Sequence, residues 1–282
     1  MGYDVTTLGN HEFDYRARGL AEMLGAAVDS GDRLPAVVQA NYKPPAGDGA
    51  TRAAWENYGI GDYVVLERDG VRVAVFGLLG VDADECAPMS GMEFTPLAQA
   101  AQRVVETIQA QEAADYIVCL SHSGTTDGKG EDYELAKAVD GIDVIISGHT
   151  HSATQEPIRV NDTLIVSCGE YTRNLGVLTV EKTGEGLDTL DFRLVPIDET
   201  VTEDAAMTAM ARRFQQKVDE GYLAGFGLSF DQVLCESAFA FTPIRRFAQQ
   251  QQEDPLGSLI ADSYVYAVEQ AEGEDYRTVD FA

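Results

Sequence analysis

Residues 143–151, DVIISGHTH, set the terms for any fold this chain can adopt. Asp143 to Ile146 is a short apolar, β-branched run of the kind that forms a buried strand, and Ser147-Gly148 ends it. His149 and His151 follow with one residue between them. In extended backbone, residues i and i+2 point the same way, so both imidazoles would face one point just past the strand end. Gly148 ahead of them allows the backbone to approach a bound group closely. Imidazole is the commonest nitrogen ligand of zinc and its neighbours, so the pattern favours a metal centre. Ordinary loop histidines are the alternative.

The chain holds four histidines, and the other two sit in similar places. His11 lies in LGNHEFD, just after the strand-like stretch 3–8. His122 lies in CLSHSG, just after the strand-like stretch 116–120. Each histidine therefore falls at the C-terminal end of an expected strand. That edge is where ligands and reactive groups collect in open α/β sheets.

The rest of the chain alternates accordingly. A helix is expected around 18–28 and a strand over 35–40, closed by Asn41. The segment 62–79 reads as a hairpin around Asp69-Gly70, a strong turn signal between two apolar runs. Thr95-Pro96-Leu97 opens a helix to about residue 113, and another is expected over 131–139. After the histidine pair the pattern changes to consecutive strands over 163–168, 176–181 and 189–196. Alternation followed by a run of strands points to an α/β protein with two mixed sheets packed together and helices outside. A helix over 203–220, a hinge at 221–227 and an amphipathic helix in PLGSLIADSYVYAVEQ complete the chain. Too few residues follow the hinge to bury a core of ordinary size, so the end reads as the start of a second domain.

A formal charge of −27 disfavours nucleic acid polymers as partners. No apolar run is long enough for a membrane span. The four cysteines are widely spaced, and Cys119 and Cys168 fall inside apolar runs, as buried thiols do.

The three histidine loops offer the amide oxygen of Asn10 and the imidazoles of His122, His149 and His151. That donor set suits Zn, Mn, Fe or Co better than Ca. His11 follows Asn10 directly and should lean to another side. Asp14 can accept its ring N–H and fix its tautomer, the usual support of a catalytic histidine. Asp14 can also be read as an exposed acid opening a helix.

GNHEFD (9–14), SHSG (121–124) and SGHTHS (147–152) resemble three signature blocks of the calcineurin-like metallophosphatases. With VTTLGNHEFDY, the hairpin at 69–79, SCGEYTRNLGVLTV (167–180) and PLGSLIAD (255–262), the chain is similar to the 5′-nucleotidase/UDP-sugar hydrolase family. The resemblance implies a four-layer αββα sandwich over residues 1–200, a linker helix and hinge over 201–230, and an incomplete C-terminal α/β nucleotide-binding domain over 231–282. It implies a metal-dependent phosphoesterase acting on nucleotides, nucleotide sugars or cyclic nucleotides. In it, a hydroxide activated by two divalent cations (Zn, Mn, Co or Fe) attacks phosphorus in line. Asn10, His122 and His149 resemble ligands of one metal and His151 a ligand of the other, while His11 and Asp14 resemble the catalytic dyad.

The family's Asp-x-His and Gly-Asp blocks, which bring the bridging aspartate, are not found in this sequence. The expectation is that they precede Met1, and that the chain holds one cation well or none, with reduced activity. Arg245, Arg246 and Phe247 lie too early for the family's base-binding arginines and aromatic rings. Members are typically exported, which implies an extracytoplasmic protein. A catalytically inactive remnant of the fold, acting as a binding module, is the alternative; a structural single-zinc site is a third reading.

Overall fold

A computed structural model of the protein describes residues 2–184, 186–243, 246 and 253–279; Arg245 and Phe247 lie outside the described residues. The chain divides into two compact units, Met1–Glu203 and Asp204–Ala282.

The first unit opens with β1 (Val5–Thr6), shorter than the strand expected there, and a 3₁₀ turn at Asn10–Phe13 that carries the first histidine. Helix α1 (Arg16–Asp29), β2 (Ala36–Val37) and β3 (Tyr42–Lys43) follow. Helix α2 (Gly49–Tyr58) has no counterpart in the sequence reading: it buries only Thr51 and Trp55, too sparse a pattern to see. Its start is fixed by Asp48, whose carboxylate accepts the Thr51 N–H at 3.0 Å. Strands β4 (Tyr63–Arg68) and β5 (Val71–Leu79) form the expected hairpin. Asp69 and Gly70 both take positive φ, the two-residue turn that matches strand twist.

The remaining elements are α3 (Val81–Glu85), β6 (Glu93–Phe94), α4 (Leu97–Gln111), β7 (Tyr116–His122), α5 (Glu131–Ala138) and β8 (Val144–Ser147). Then come β9 (Ile158–Val160), β10 (Thr163–Val166), and the long pair β11 (Asn174–Thr183) and β12 (Gly186–Pro196).

Six strands form one mixed sheet in the order β4-β5-β7-β8-β10-β9. Its centre, β5-β7-β8-β10, is parallel, and each edge strand runs antiparallel to its neighbour. Alternation along β7 separates two cores. Ile117 and Cys119 face α4 and α5, while Tyr116 and Val118 face the β11–β12 hairpin. On α4 the buried positions are 97, 100, 101, 104, 105 and 108, one helical face. Burying Val104, Val105 and Ile108 there contributes about 1.5–3 kcal/mol each. A third cluster joins Leu20 and Leu24 of α1 to Trp55 of α2, Val37 of β2 and Leu79 at the end of β5.

The second unit contains α6 (Ala205–Gly221), capped by the Asp204 carboxylate, a 3₁₀ turn at Leu223–Phe226, and α7 (Pro255–Glu272), capped by Asp254 with proline in its first turn. Neither helix has a buried residue.

Asn41 ties the third cluster to the sheet. Its side-chain oxygen accepts the Leu79 N–H at 2.9 Å, and its amide donates to the carbonyls of Leu79 at 2.8 Å and Thr95 at 3.0 Å. Replacing it by alanine leaves a buried N–H and two carbonyls without partners. Asn41→Ala is expected to lower unfolding stability by about 2–4 kcal/mol, measured by urea denaturation; a loss below about 0.5 kcal/mol would show that water replaces the amide.

Candidate metal centre

Three parallel strands stop at the same level. Leu79 of β5 pairs with His122 of β7, and Ser121 of β7 pairs with Ser147 of β8. Two main-chain bonds carry that register into the loops: Gly80 N–H to the His122 carbonyl at 3.0 Å, and Gly148 N–H to the Ser121 carbonyl at 2.8 Å. The loops after these strands, and the turn after β1, meet at this edge.

His122 is the hub. It is the last residue of β7 rather than part of the following loop, so its ring direction is set by strand geometry. Its Nε2 lies 2.9 Å from Asn10 Oδ1, although the two residues are 112 positions apart. The His149 ring centroid lies 5.0 Å from that of His122. Partial burial, then the neighbouring His149, His11 and His151, pull the His122 imidazole down to about 4. It is therefore neutral at physiological pH, the state a ligand nitrogen needs. Asn10 itself is buried.

Gly9 makes the approach possible. A Cβ there would come 2.8 Å from Cε1 and Nε2 of His122. The Gly9 N–H is held by the Glu12 carboxylate at 2.6 Å. His11 turns outward, as expected, and its Nδ1 lies 3.1 Å from both Asp14 carboxylate oxygens. Asp14 closes the 3₁₀ turn rather than opening a helix, which favours its role as a partner of His11.

The loop after β8 departs from expectation. His149 and His151 do not continue the strand: their φ values are +77° and +58°. Left-handed backbone costs a β-carbon residue on the order of 1–3 kcal/mol and is held only where surroundings enforce it. Here the enforcing contacts include the Gly148–Ser121 bond and the Thr150 hydroxyl donating to the Thr125 carbonyl at 2.9 Å. The two imidazoles consequently part. His149 Nε2 lies 2.7 Å from Asp82 Oδ2, and His151 Nδ1 lies 2.9 Å from Glu170 Oε2, beside the Tyr171 ring. So His122 touches both Asn10 and His149, whereas His151 stands at the margin.

Sequence reasoning missed Asp82, Glu170 and Glu131. All three belong to this edge: Asp82 and Glu170 follow β5 and β10, and Glu131 anchors the Val81 and Asp82 N–H groups at 2.8 and 3.0 Å. The signal available was the one used for the histidines, a polar group just beyond a strand end. Acids were too numerous in this chain for it to stand out. A groove of about 870 Å³ lies elsewhere, over the sheet face shared with β11 and β12, and reaches this cluster only through Glu170.

The fit to a metal ion rests on donor chemistry. Asn10 Oδ1 and His122 Nε2 stand 2.9 Å apart, as neighbouring ligands of one ion do, and His122 carries a free lone pair when neutral. The set suits a divalent transition metal.

Comparisons with known proteins agree with this architecture. No protein-family profile matches the chain. It is 29% identical over 97% of its length to the trifunctional nucleotide phosphoesterase YfkN of Bacillus subtilis, covering 20% of that protein. It is 27% identical over 93% of its length to the endonuclease YhcR of the same organism, covering 21% of it. Among solved structures, the 5′-nucleotidase precursor of Thermus thermophilus superposes with a TM-score of 0.69 at 25% identity, over 95% of this chain and 52% of that one. The fold is thus the mixed α/β fold of the metallophosphatases. Further relatives are named 5′-nucleotidases, so the chain is similar to the 5′-nucleotidases. It spans about a fifth to a half of the length of these relatives.

Asp132 braces the β7 loop from beneath. It is fully buried; its Oδ2 accepts the Gly124 N–H at 3.1 Å, and Oδ1 has no hydrogen-bond partner among the described residues. Burial raises its pKa to about 6, while the nearby Ser121 and Ser147 hydroxyls and the Gly124 N–H pull the other way. A carboxyl whose folded pKa lies above the unfolded value of about 3.9 destabilises the fold progressively as pH rises from about 4 through about 6. At pH 7 the cost is of order 3 kcal/mol. Asp132→Asn should therefore gain stability relative to wild type between pH 4 and pH 7, read from urea midpoints at each pH. A pH-independent difference would contradict it.

Proposed function

We propose that this chain is the metal-dependent catalytic region of a phosphoesterase that hydrolyses nucleotides. The observation that carries the reading is His122 in contact with both Asn10 and His149, three residues from distant segments, with His11 near enough to act on its charge. Asn10, His122 and His149 are assigned to one cation and His151 to a second. When bound, such divalent ions lower the pKa of water and neutralise phosphoryl charge.

The chain's own residues supply the rest. His11 is held through Nδ1 by Asp14, which leaves Nε2 as the nitrogen that faces substrate. As the imidazolium it steadies charge on a phosphoryl oxygen and donates a proton to the departing alkoxide. Its side chain is 80% exposed, so a substrate can reach it. The Glu12 carboxylate keeps the Gly9 backbone in place and with it the spacing of Asn10 and His11.

Small nucleotides or nucleotide sugars suit a chain of charge −27 better than a polymer does, because metal ions can offset a few phosphate charges locally but not the summed field. Among the described residues no helix is long and apolar enough to cross a membrane. An extracytoplasmic location goes with the family reading.

The test is phosphate release from a panel of nucleoside monophosphates and a nucleotide sugar, with Mn²⁺, Co²⁺ or Zn²⁺ supplied, and single- and double-stranded DNA as further arms. Slow, metal-dependent release is expected, abolished by chelation. His11→Ala should lower kcat on the order of 10²–10⁴-fold without loss of bound metal, and Asn10→Ala should lose metal as well. No release with any metal favours the binding-module reading. Cleavage of DNA in preference to mononucleotides overturns the substrate assignment.

A further inference from the structure

The strand-end loops assemble a second set of donors, separate from the Asn10–His122 contact. Asp82 lies in α3 and Cys86, four residues on, caps its C-terminal end in helical conformation, so both leave the same face of that turn. His149 reaches this face from the loop after β8, its Nε2 2.7 Å from Asp82 Oδ2. A carboxylate oxygen, the Cys86 sulfur and an imidazole nitrogen lie within 4.8 Å of one another. We propose that Asp82, Cys86 and His149 form a binding site for one thiophilic divalent cation of the zinc class.

The chemistry of the set is specific. Zinc takes thiolate, imidazole and carboxylate ligands at about 2.0–2.3 Å, which at tetrahedral angles places them roughly 3.5 Å apart. Movements of about an ångström by the Asp82 and Cys86 side chains, both exposed, bring the atoms to that spacing. The thiol loses its proton to solvent on binding, so the sulfur enters as thiolate. A thiolate selects zinc or cadmium over magnesium and manganese.

The frame beneath the set is firm. The Val81 and Asp82 N–H groups are fastened to Glu131, the Gly80 N–H to the His122 carbonyl, and Ala83 is fully buried. Asp82 and Cys86 face solvent, leaving the fourth position to water or an added ligand, as in open zinc sites. The phosphoesterase assignment does not use Asp82 or Cys86, and the thiolate signal of this site is read apart from that activity. Only His149 belongs to both sets.

Cobalt(II) is the probe, because a thiolate–cobalt bond gives a charge-transfer absorption that oxygen and nitrogen ligands lack. Titration of the 282-residue chain should develop that band at one equivalent per chain, and zinc should displace it. Cys86→Ser should abolish the band and weaken zinc binding at this site at least tenfold; Asp82→Asn should weaken it at least tenfold while keeping the band at saturation. Cys235→Ser, a change at another exposed thiol, should leave the band intact, and so should Asn10→Ala. A titration without the band, or one unchanged in Cys86→Ser, overturns the proposal. Loss of the band in Asn10→Ala overturns it too, by making the thiolate part of the other centre.

Discussion

The structure turns on the in-register ending of three parallel strands. β5, β7 and β8 stop at Leu79, His122 and Ser147, with Leu79 beside His122 and Ser147 beside Ser121. Parallel strands deliver all their outgoing chains to one edge, so everything leaving these strands must gather there. The bonds from Gly80 to His122 and from Gly148 to Ser121 extend the ladder by one step beyond the strands. They are why a histidine, a second histidine two residues past its strand, and an aspartate three residues past another arrive within hydrogen-bonding range. A one-residue slip of β7 would reverse its alternation and turn His122 to the opposite face of the sheet.

Much of this was legible in the sequence, and for a physical reason. Strands buried on both faces read as continuous β-branched runs, which is why β5, β7 and β8 stood out, and a glycine or polar residue marks where each ends. The Asp69-Gly70 turn was legible because few residue pairs accept its backbone. What escaped were elements stabilised from outside. β3 and β6 are two residues each and exist through their mutual pairing. Helix α2 buries a single large side chain, Trp55, and depends on the Asp48 cap and on packing against α1. No local pattern encodes such contacts.

At the site, the residues were legible and their aim was not. Asn10, His122 and His149 do converge, yet the argument from extended backbone failed at His149 and His151, because tertiary contacts held both in left-handed conformations. Sequence spacing fixes direction only inside regular structure. Past the strand end, the loop's own hydrogen bonds decide. That is also why Asp82 was missed: its approach to His149 depends on α3 folding back under Glu131, a contact 49 residues away in sequence.

The electrostatics of the edge follow from the same crowding. Burial, then the neighbouring His149, His11 and His151, keep the His122 imidazole neutral. A neutral hub beside exposed imidazoles separates two tasks that one kind of side chain could otherwise confuse. The inner ring offers a lone pair to a cation, while His11, exposed and paired with Asp14, keeps access to a proton from solvent. His149 stands between these regimes. Its Nε2 cannot serve Asn10 and His122 on one side and Asp82 and Cys86 on the other at the same moment, because one nitrogen has one lone pair. The left-handed backbone at His149, costly in itself, holds the ring at the boundary between the two donor sets.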